Sequence, residues 1–232
     1  MATPVVMNPV AYNTGKWISR FFAWFYGRLR IIGAENIPRT GGVIIAPNHT
    51  SYFDPPLAGG CGPRSTFFMA KAELFRIPVI GKLIGIVGAY PVKRGTADRE
   101  ALRRTDELLK GGKAVTIFIE GGTSDDGRLQ EPELGPAMIA LRAGVPIVPT
   151  AIINADKLLP KGSKFFHFTR LTVIYGAPVS FPHLAGKTTD RAALREVSTT
   201  VMRHIADLMR AHGAPERVPE GYLEAVEEAT NA

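Results

Sequence analysis

Cysteine is nearly absent: Cys61 stands alone among 232 residues. That excludes an internal disulfide framework and a thiolate zinc cluster, and it fits a reducing compartment. Aspartate and glutamate are missing from the first 34 positions, which carry Lys16, Arg20, Arg28 and Arg30 and are therefore uniformly cationic. No apolar run reaches the roughly 20 residues needed to span a bilayer, since the best candidate, Trp17 to Ile32, contains three arginines. The apolar stretch of an export signal is lacking too, because Pro4, Asn8, Pro9 and Asn13 interrupt residues 1–13. No repeat, low-complexity tract or Pro/Gly-rich linker divides the chain.

What is present is a sizeable core: 45% of the residues are hydrophobic, enough for one compact domain and too many for a disordered chain. Lys and Arg number 28 against 21 Asp and Glu, giving a net charge of +7. This balance points to an anionic partner, which is nucleic acid, an acidic substrate or a membrane surface. Nucleic acid is the weakest of the three, because the aromatics are not interleaved with basic residues as stacking platforms require. His167, His183, His204 and His212 fall in no metal-ligand spacing, so no metal is expected.

In the N-terminal segment Trp17, Phe21, Trp24, Phe25 and Arg28 recur at steps of three and four, and Phe22 and Tyr26 widen the face. Such a helix suits either a membrane interface, with its aromatics at the headgroup boundary, or an ordinary core. Further on, Val43–Ala46, Thr66–Met69, Ala114–Ile119, Pro146–Ile153 and Leu171–Tyr175 read as buried strands. Helical patterns span Asp98–Lys110, Pro136–Ala143 and Asp190–His212, the first two closed by Gly111-Gly112 and Gly144. The alternation predicts an α/β fold, a mostly parallel sheet wrapped by helices, with an N-terminal amphipathic membrane-binding helical segment. The expected divisions are a membrane-association segment at 1–30, the main domain at 31–212 and a loosely held C-terminal tail at 213–232.

Ligands of such sheets gather at the carboxyl ends of the strands. His49 and Asp54 follow the strand Val43–Ala46. Five positions apart, they share no helical stripe and can meet only across a turn. If they meet, Asp54 fixes the imidazole tautomer and leaves the other ring nitrogen free to take a proton. The alternative is that His49 satisfies a loop and Asp54 caps a helix starting at Pro55. The strand Ala114–Ile119 ends in Glu120-Gly121-Gly122-Thr123-Ser124, where glycines allow a ligand close to backbone N–H groups. Between these segments, Tyr90-Pro91-Val92-Lys93-Arg94 brings a guanidinium suited to phosphate oxygens, or simply a solvated basic loop.

Taken in order, these segments resemble the glycerolipid acyltransferase family, which includes the 1-acylglycerol-3-phosphate O-acyltransferases. His49 and Asp54 match its His-four residues-Asp block, and Tyr90 to Arg94 its second block. Phe118 to Ser124 is similar to its Phe-Pro-Glu-Gly-Thr-Arg-Ser block, and Val145 to Pro149 to its Val-Pro-Ile-x-Pro strand. The resemblance covers roughly Ile31 to Tyr175. It implies that His49 deprotonates an acceptor hydroxyl, oriented by Asp54, while Arg94, Glu120, Gly121, Gly122 and Thr123 surround the acceptor. The implied donor is an acyl thioester of coenzyme A or acyl carrier protein, the implied acceptor a lysophospholipid, and no cofactor or metal is needed. The implied place is the anionic cytoplasmic surface of the cell membrane, with peripheral attachment. Two family cations are replaced here: Gly122-Thr123 stands where Thr-Arg is usual, and a later lysine gives way to Glu131-Pro132-Glu133. Arg128 is the nearest substitute. Tyr52, Phe53, Phe67, Phe68, Ile80, Leu83, Ile84 and Ile86 are candidates for an acyl groove or for ordinary core.

Overall fold

The computed structural model describes residues 5–93, 98–222 and 224–226. Within them seven strands form one sheet: β1 (Arg30–Ile32), β2 (Val43–Pro47), β3 (Thr66–Lys71), β4 (Ala89–Val92), β5 (Ala114–Thr116), β6 (Ile147–Ile153) and β7 (Thr172–Tyr175). Their order is β1-β7-β6-β2-β5-β3-β4, and every neighbouring pair is parallel except β6 with β7. The helices are α1 (Pro9–Gly27), α2 (Asp54–Gly60), α3 (Pro78–Ile86), α4 (Arg99–Lys110), α5 (Leu134–Ala143), α6 (Ala155–Leu158) and α7 (Arg191–Ala211).

β2 shows why the central strands read as unbroken apolar runs: both faces of the sheet are covered. Ile44 and Ala46 point into one core with residues of α5 and α7. Val43 and Ile45, alternating with them, point into a second core with residues of α1, α2 and α6. β1 and β4 are additions to the sequence reading. Pro91 disguises β4, yet β4 is an edge strand, where a missing N–H leaves no ladder position empty. β5 is shorter than expected, ending at Thr116 rather than Ile119. Beyond it Ile117 and Ile119 still donate to Ile45 and Pro47 of β2, at 2.9 and 3.4 Å, but the ladder to β3 stops at Thr116 and Phe68.

α1 begins earlier than its aromatic stretch, at Pro9 with the Asn8 side chain capping it, and ends at Gly27. Arg28 is therefore the C-cap, at φ 44°, and not part of the helical face. Tyr12, Ser19, Ala23 and Gly27 form the buried stripe. A Cβ on Gly27 would sit 2.9 Å from Leu171, so only glycine allows this approach. Trp17, Phe21, Trp24 and Phe25 are exposed, which removes the core reading for them. No helix among the described residues is long and apolar enough to cross a membrane.

Within the stretch 213–232, expected to be loosely held, part of the described residues packs on the domain. Ala214, Arg217, Val218, Tyr222 and Val226 are buried. The prolines and glutamates there signal exposure, but Val218, Tyr222 and Val226 recur at four-residue steps and make an apolar stripe. The Arg217 guanidinium donates to both carboxylate oxygens of Asp156, at 2.8 and 3.1 Å, and to the Gly127 carbonyl at 3.0 Å. Leu129 N–H donates to the Arg217 carbonyl at 2.9 Å, and the Tyr222 hydroxyl to the Gln130 carbonyl at 2.6 Å. This strap holds residues 127–130 against the domain. Arg217→Met leaves a carboxylate and a buried carbonyl without their donor and is expected to cost about 3 kcal/mol in urea unfolding, with the unfolding slope unchanged.

Candidate active site

The chain leaves β2 at Pro47, and the next residue fixes its exit. The Asn48 side-chain amide donates to the Ile152 carbonyl at 3.1 Å, and its oxygen accepts from Ile152 N–H at 2.7 Å. This extends the pairing of β2 with β6 past the proline and sets the position of His49. Residues 48–53 then turn back, closed by Asp54 N–H on the Ser51 carbonyl at 3.1 Å. The helix starts at Asp54 itself, and its N-cap, Phe53, makes no side-chain bond.

Asp54 therefore does not cap α2 forwards; its carboxylate reaches backwards. Oδ2 accepts from His49 Nδ1 at 2.9 Å, from Thr50 N–H at 2.6 Å and from Ser51 N–H at 2.7 Å. An oxygen that receives two backbone N–H groups carries no proton of its own to offer the ring, so the bond to His49 assigns the proton to Nδ1. Complete burial pushes the Asp54 pKa up, against the lowering influence of His49, Ser51 and Thr50. The imidazole also stacks on Phe118, ring centroids 4.0 Å apart and planes 24° from parallel. With its edge bonded and its face covered, the ring has one orientation.

Glu120 comes to the same place on the chain that continues past β5. Ser124 N–H donates to the His49 carbonyl at 2.7 Å, so the loop 120–124 closes onto the histidine's own backbone. Glu120 is buried, with the backbone amides of His49 and Gln130 near enough to act on its carboxylate but not in hydrogen-bond geometry. Burial raises its pKa well above the usual carboxylate range. The nearby Asp54 charge adds to the rise, and the backbone amides of His49 and Gln130 oppose it. Thr50 Oγ1 and Asp54 Oδ1 are unpaired as well. Glu120, Thr50 and Asp54 thus gather polar oxygens near His49. Gly121 turns the chain at φ +68°, where a Cβ would meet Glu133 at 2.6 Å, whereas Gly122 faces open space.

Of the residues singled out by sequence, His49, Asp54 and Glu120 come together, with Gly121, Gly122 and Thr123 forming the arc between Glu120 and Ser124. Arg94 lies outside the described residues. Arg128 is exposed, its backbone N–H bonded to Asp126 at 2.9 Å. Sequence reasoning gave no role to Asn48, to Phe118 or to the C-terminal strap. Phe118 opens the segment 118–124 that resembles the family's third block, but nothing in the spacing says that its ring covers the histidine. Among the described residues no cluster of three or more His, Cys, Asp or Glu side chains could hold a metal ion.

The raised pKa of Glu120 has a sign that can be tested. Its folded-state pKa exceeds the unfolded value, so the native state binds the proton more tightly and loses stability as pH rises through the folded pKa. Glu120→Gln removes the buried charge and is expected to raise stability above neutral pH by about 1–3 kcal/mol while lowering turnover of a hydroxyl substrate. Thermal unfolding at acid and alkaline pH, beside turnover, checks both halves.

The sequence matches the Acyltransferase family over residues 28–153. It is 31% identical over 166 residues to a 1-acyl-sn-glycerol-3-phosphate acyltransferase of Bacillus subtilis, covering 69% of this chain and 80% of that one. It is 34% identical over 151 residues to a chloroplastic 1-acyl-sn-glycerol-3-phosphate acyltransferase of Arabidopsis thaliana, covering 64% of this chain but 42% of the plant protein. The chain thus spans about two-fifths of the length of that relative. The crystal structure of the 1-acyl-sn-glycerophosphate acyltransferase PlsC from Thermotoga maritima superposes with a TM-score of 0.69 at 30% identity, over 85% of this chain and 79% of that one. Matched over more than half its length, and by a bacterial relative most of whose sequence it shares in alignment, the chain belongs to the glycerolipid acyltransferase family.

Proposed function

We propose that the chain is an O-acyltransferase of phospholipid biosynthesis. It moves a fatty acyl group from a thioester of coenzyme A or acyl carrier protein to the free hydroxyl of a lysophospholipid, with 1-acylglycerol-3-phosphate as acceptor. The observation that carries the reading is the three-donor bond at Asp54 Oδ2, which leaves His49 Nε2 as the basic nitrogen.

The chemistry follows from that arrangement. Nε2 removes the proton of the acceptor hydroxyl as its oxygen bonds to the thioester carbonyl carbon, and Asp54 stabilises the imidazolium formed. The C–S bond then breaks, the thiolate leaves with the proton from Nε2, and the products are an ester and a free thiol. General-base assistance of this type contributes about 10²–10⁴-fold. No cofactor beyond the thioester co-substrate enters this sequence. Glu120 offers its unpaired oxygens to a lysolipid hydroxyl, and the open side of Gly122 gives that group room. Arg94, on the family resemblance, and Arg128 at the rim supply charge for a phosphate.

On the same reading the protein sits peripherally on the anionic cytoplasmic face of the membrane through α1. Its exposed Trp17, Phe21 and Trp24 suit the headgroup boundary, and Arg20 lies 5.4 Å over the Trp17 ring.

Labelled palmitoyl thioesters of both carriers, offered with a panel of lysolipids of differing head groups, test the reading. Ester formation on lysophosphatidate is expected, falling about 10²–10⁴-fold in His49→Ala and in Asp54→Asn. Arg94→Ala is expected to raise the acceptor KM more than it lowers kcat. Full activity in His49→Ala, or thioester hydrolysis with no transfer to any lysolipid, contradicts the proposal. Transfer confined to a zwitterionic or cationic lysolipid replaces the acceptor and keeps the reaction.

A further inference from the structure

The distribution of exposed apolar side chains reaches well beyond α1. Among the described residues, every large hydrophobic side chain that is exposed lies in one of four places: the stretch from Val6 through α1, Tyr52 beside the catalytic turn, Leu74–Ile86, and Phe165 with Phe168. The third place is the unexpected one. In α3, Val79, Ile80, Leu83 and Ile86 make an outward stripe, and Gly81 is the buried position. A surface helix of a water-soluble domain carries its polar face outwards; this one is inverted. These side chains therefore do not act as core, and with Phe67 buried and Tyr52, Ile80, Leu83 and Ile86 exposed, the groove candidates share no single enclosed lining.

The four places form one continuous band. Asn8 N–H, at the start of α1, donates to the Ile86 carbonyl at the end of α3, at 2.9 Å. At the other end of α1, Phe22 and Tyr26 stack on Phe166 at 5.2 and 5.7 Å, and Tyr26 lies 5.1 Å from Phe168. Phe166 meets Phe53 edge-on at 5.1 Å, next to Tyr52. The charge on the band is one-sided: residues 5–34, 71–86 and 157–170 hold eleven of the 28 Lys and Arg but one of the 21 Asp and Glu, Glu73.

We propose that the turn and helix Leu74–Ile86 are a second seat on an anionic lipid bilayer, joined to the seat made by α1, so that the exposed Tyr52, on the turn that carries His49, faces the membrane along this band. The proposal rests on the membrane reading given above and extends it to an element that reading does not use. A contiguous apolar surface of this extent marks an interaction site, and its cationic rim selects the occupant. A second copy of the chain would bring like charges together, whereas acidic headgroups neutralise them.

Cys61 is the single cysteine and is buried, so one introduced thiol can carry an environment-sensitive fluorophore. Phe21→Cys, Val79→Cys and Leu83→Cys would each be labelled, with Arg191→Cys, exposed on α7 across the sheet, as control. With phosphatidylcholine–phosphatidylglycerol vesicles, blue-shifted emission is expected at 21, 79 and 83 and not at 191, weakening with pure phosphatidylcholine. Val79→Ser with Leu83→Ser is expected to lower the vesicle partition coefficient about 10-fold or more with the thermal midpoint preserved. Probes at 79 and 83 that stay in water while the probe at 21 shifts overturn this proposal and leave the α1 reading standing. No vesicle binding by the unaltered chain overturns both. Shifts at 79 and 83 without lipid, growing with protein concentration, make the cover a second copy and overturn the lipid assignment.

Discussion

One carboxylate oxygen organises the site. Asp54 Oδ2 gathers the imidazole of His49 and two successive backbone N–H groups within 2.9 Å, and these contacts explain the turn, the start of α2 and the histidine's tautomer together. The turn is tight because Thr50 and Ser51 must aim their amides at the same atom. The helix begins at Asp54 because the chain has by then reversed direction. Burying that carboxylate with Oδ1 unpaired is costly, and the compensation comes from rigid surroundings: Asn48 pins the strand exit to β6, and Ser124 bonds to the histidine's own carbonyl.

The polarity of the molecule is organised around this point. Inside, two buried carboxyls with raised pKa values, Asp54 and Glu120, face one base in surroundings that strengthen every electrostatic interaction. Outside, the band leading to the site is apolar and cationic. On the function proposed above, a lysolipid acceptor would bring its hydroxyl to His49 and Glu120 and leave its acyl chain with the band.

Much of this was legible in the sequence, for physical reasons that can be named. β2, β5 and β6 stood out because strands covered on both faces must be apolar throughout. α4 and α7 stood out because their apolar residues recur on one face, and α4 also because Gly111-Gly112 closes it; the structure adds their N-caps, Asp98 and Asp190. The pairing of His49 with Asp54 was open between catalysis and capping, because spacing alone does not say which way a carboxylate turns. β4 was hidden by Pro91, whose tolerance depends on an edge position that only the sheet order reveals. The C-terminal strap was hidden because its buried stripe is short and set among glutamates, and Arg217 reads as a surface cation until Asp156 is seen beside it. Aromatic periodicity located α1 without saying which side faced out. The exposed stripe of α3 was equally invisible, since an apolar helix looks the same whether it faces a core or a membrane.

The central claim is that Asp54 holds His49 with the proton on Nδ1 and leaves Nε2 as the free base. Nitrogen-15 NMR of the labelled imidazole tests it most directly, because the two ring nitrogens report separately whether each bears a proton. In the neutral ring of the unaltered protein the account predicts a protonated Nδ1 with a strongly deshielded proton, a bare Nε2, and loss of that pattern in Asp54→Asn. A proton found on Nε2 instead, or a pattern indifferent to Asp54→Asn, would contradict it.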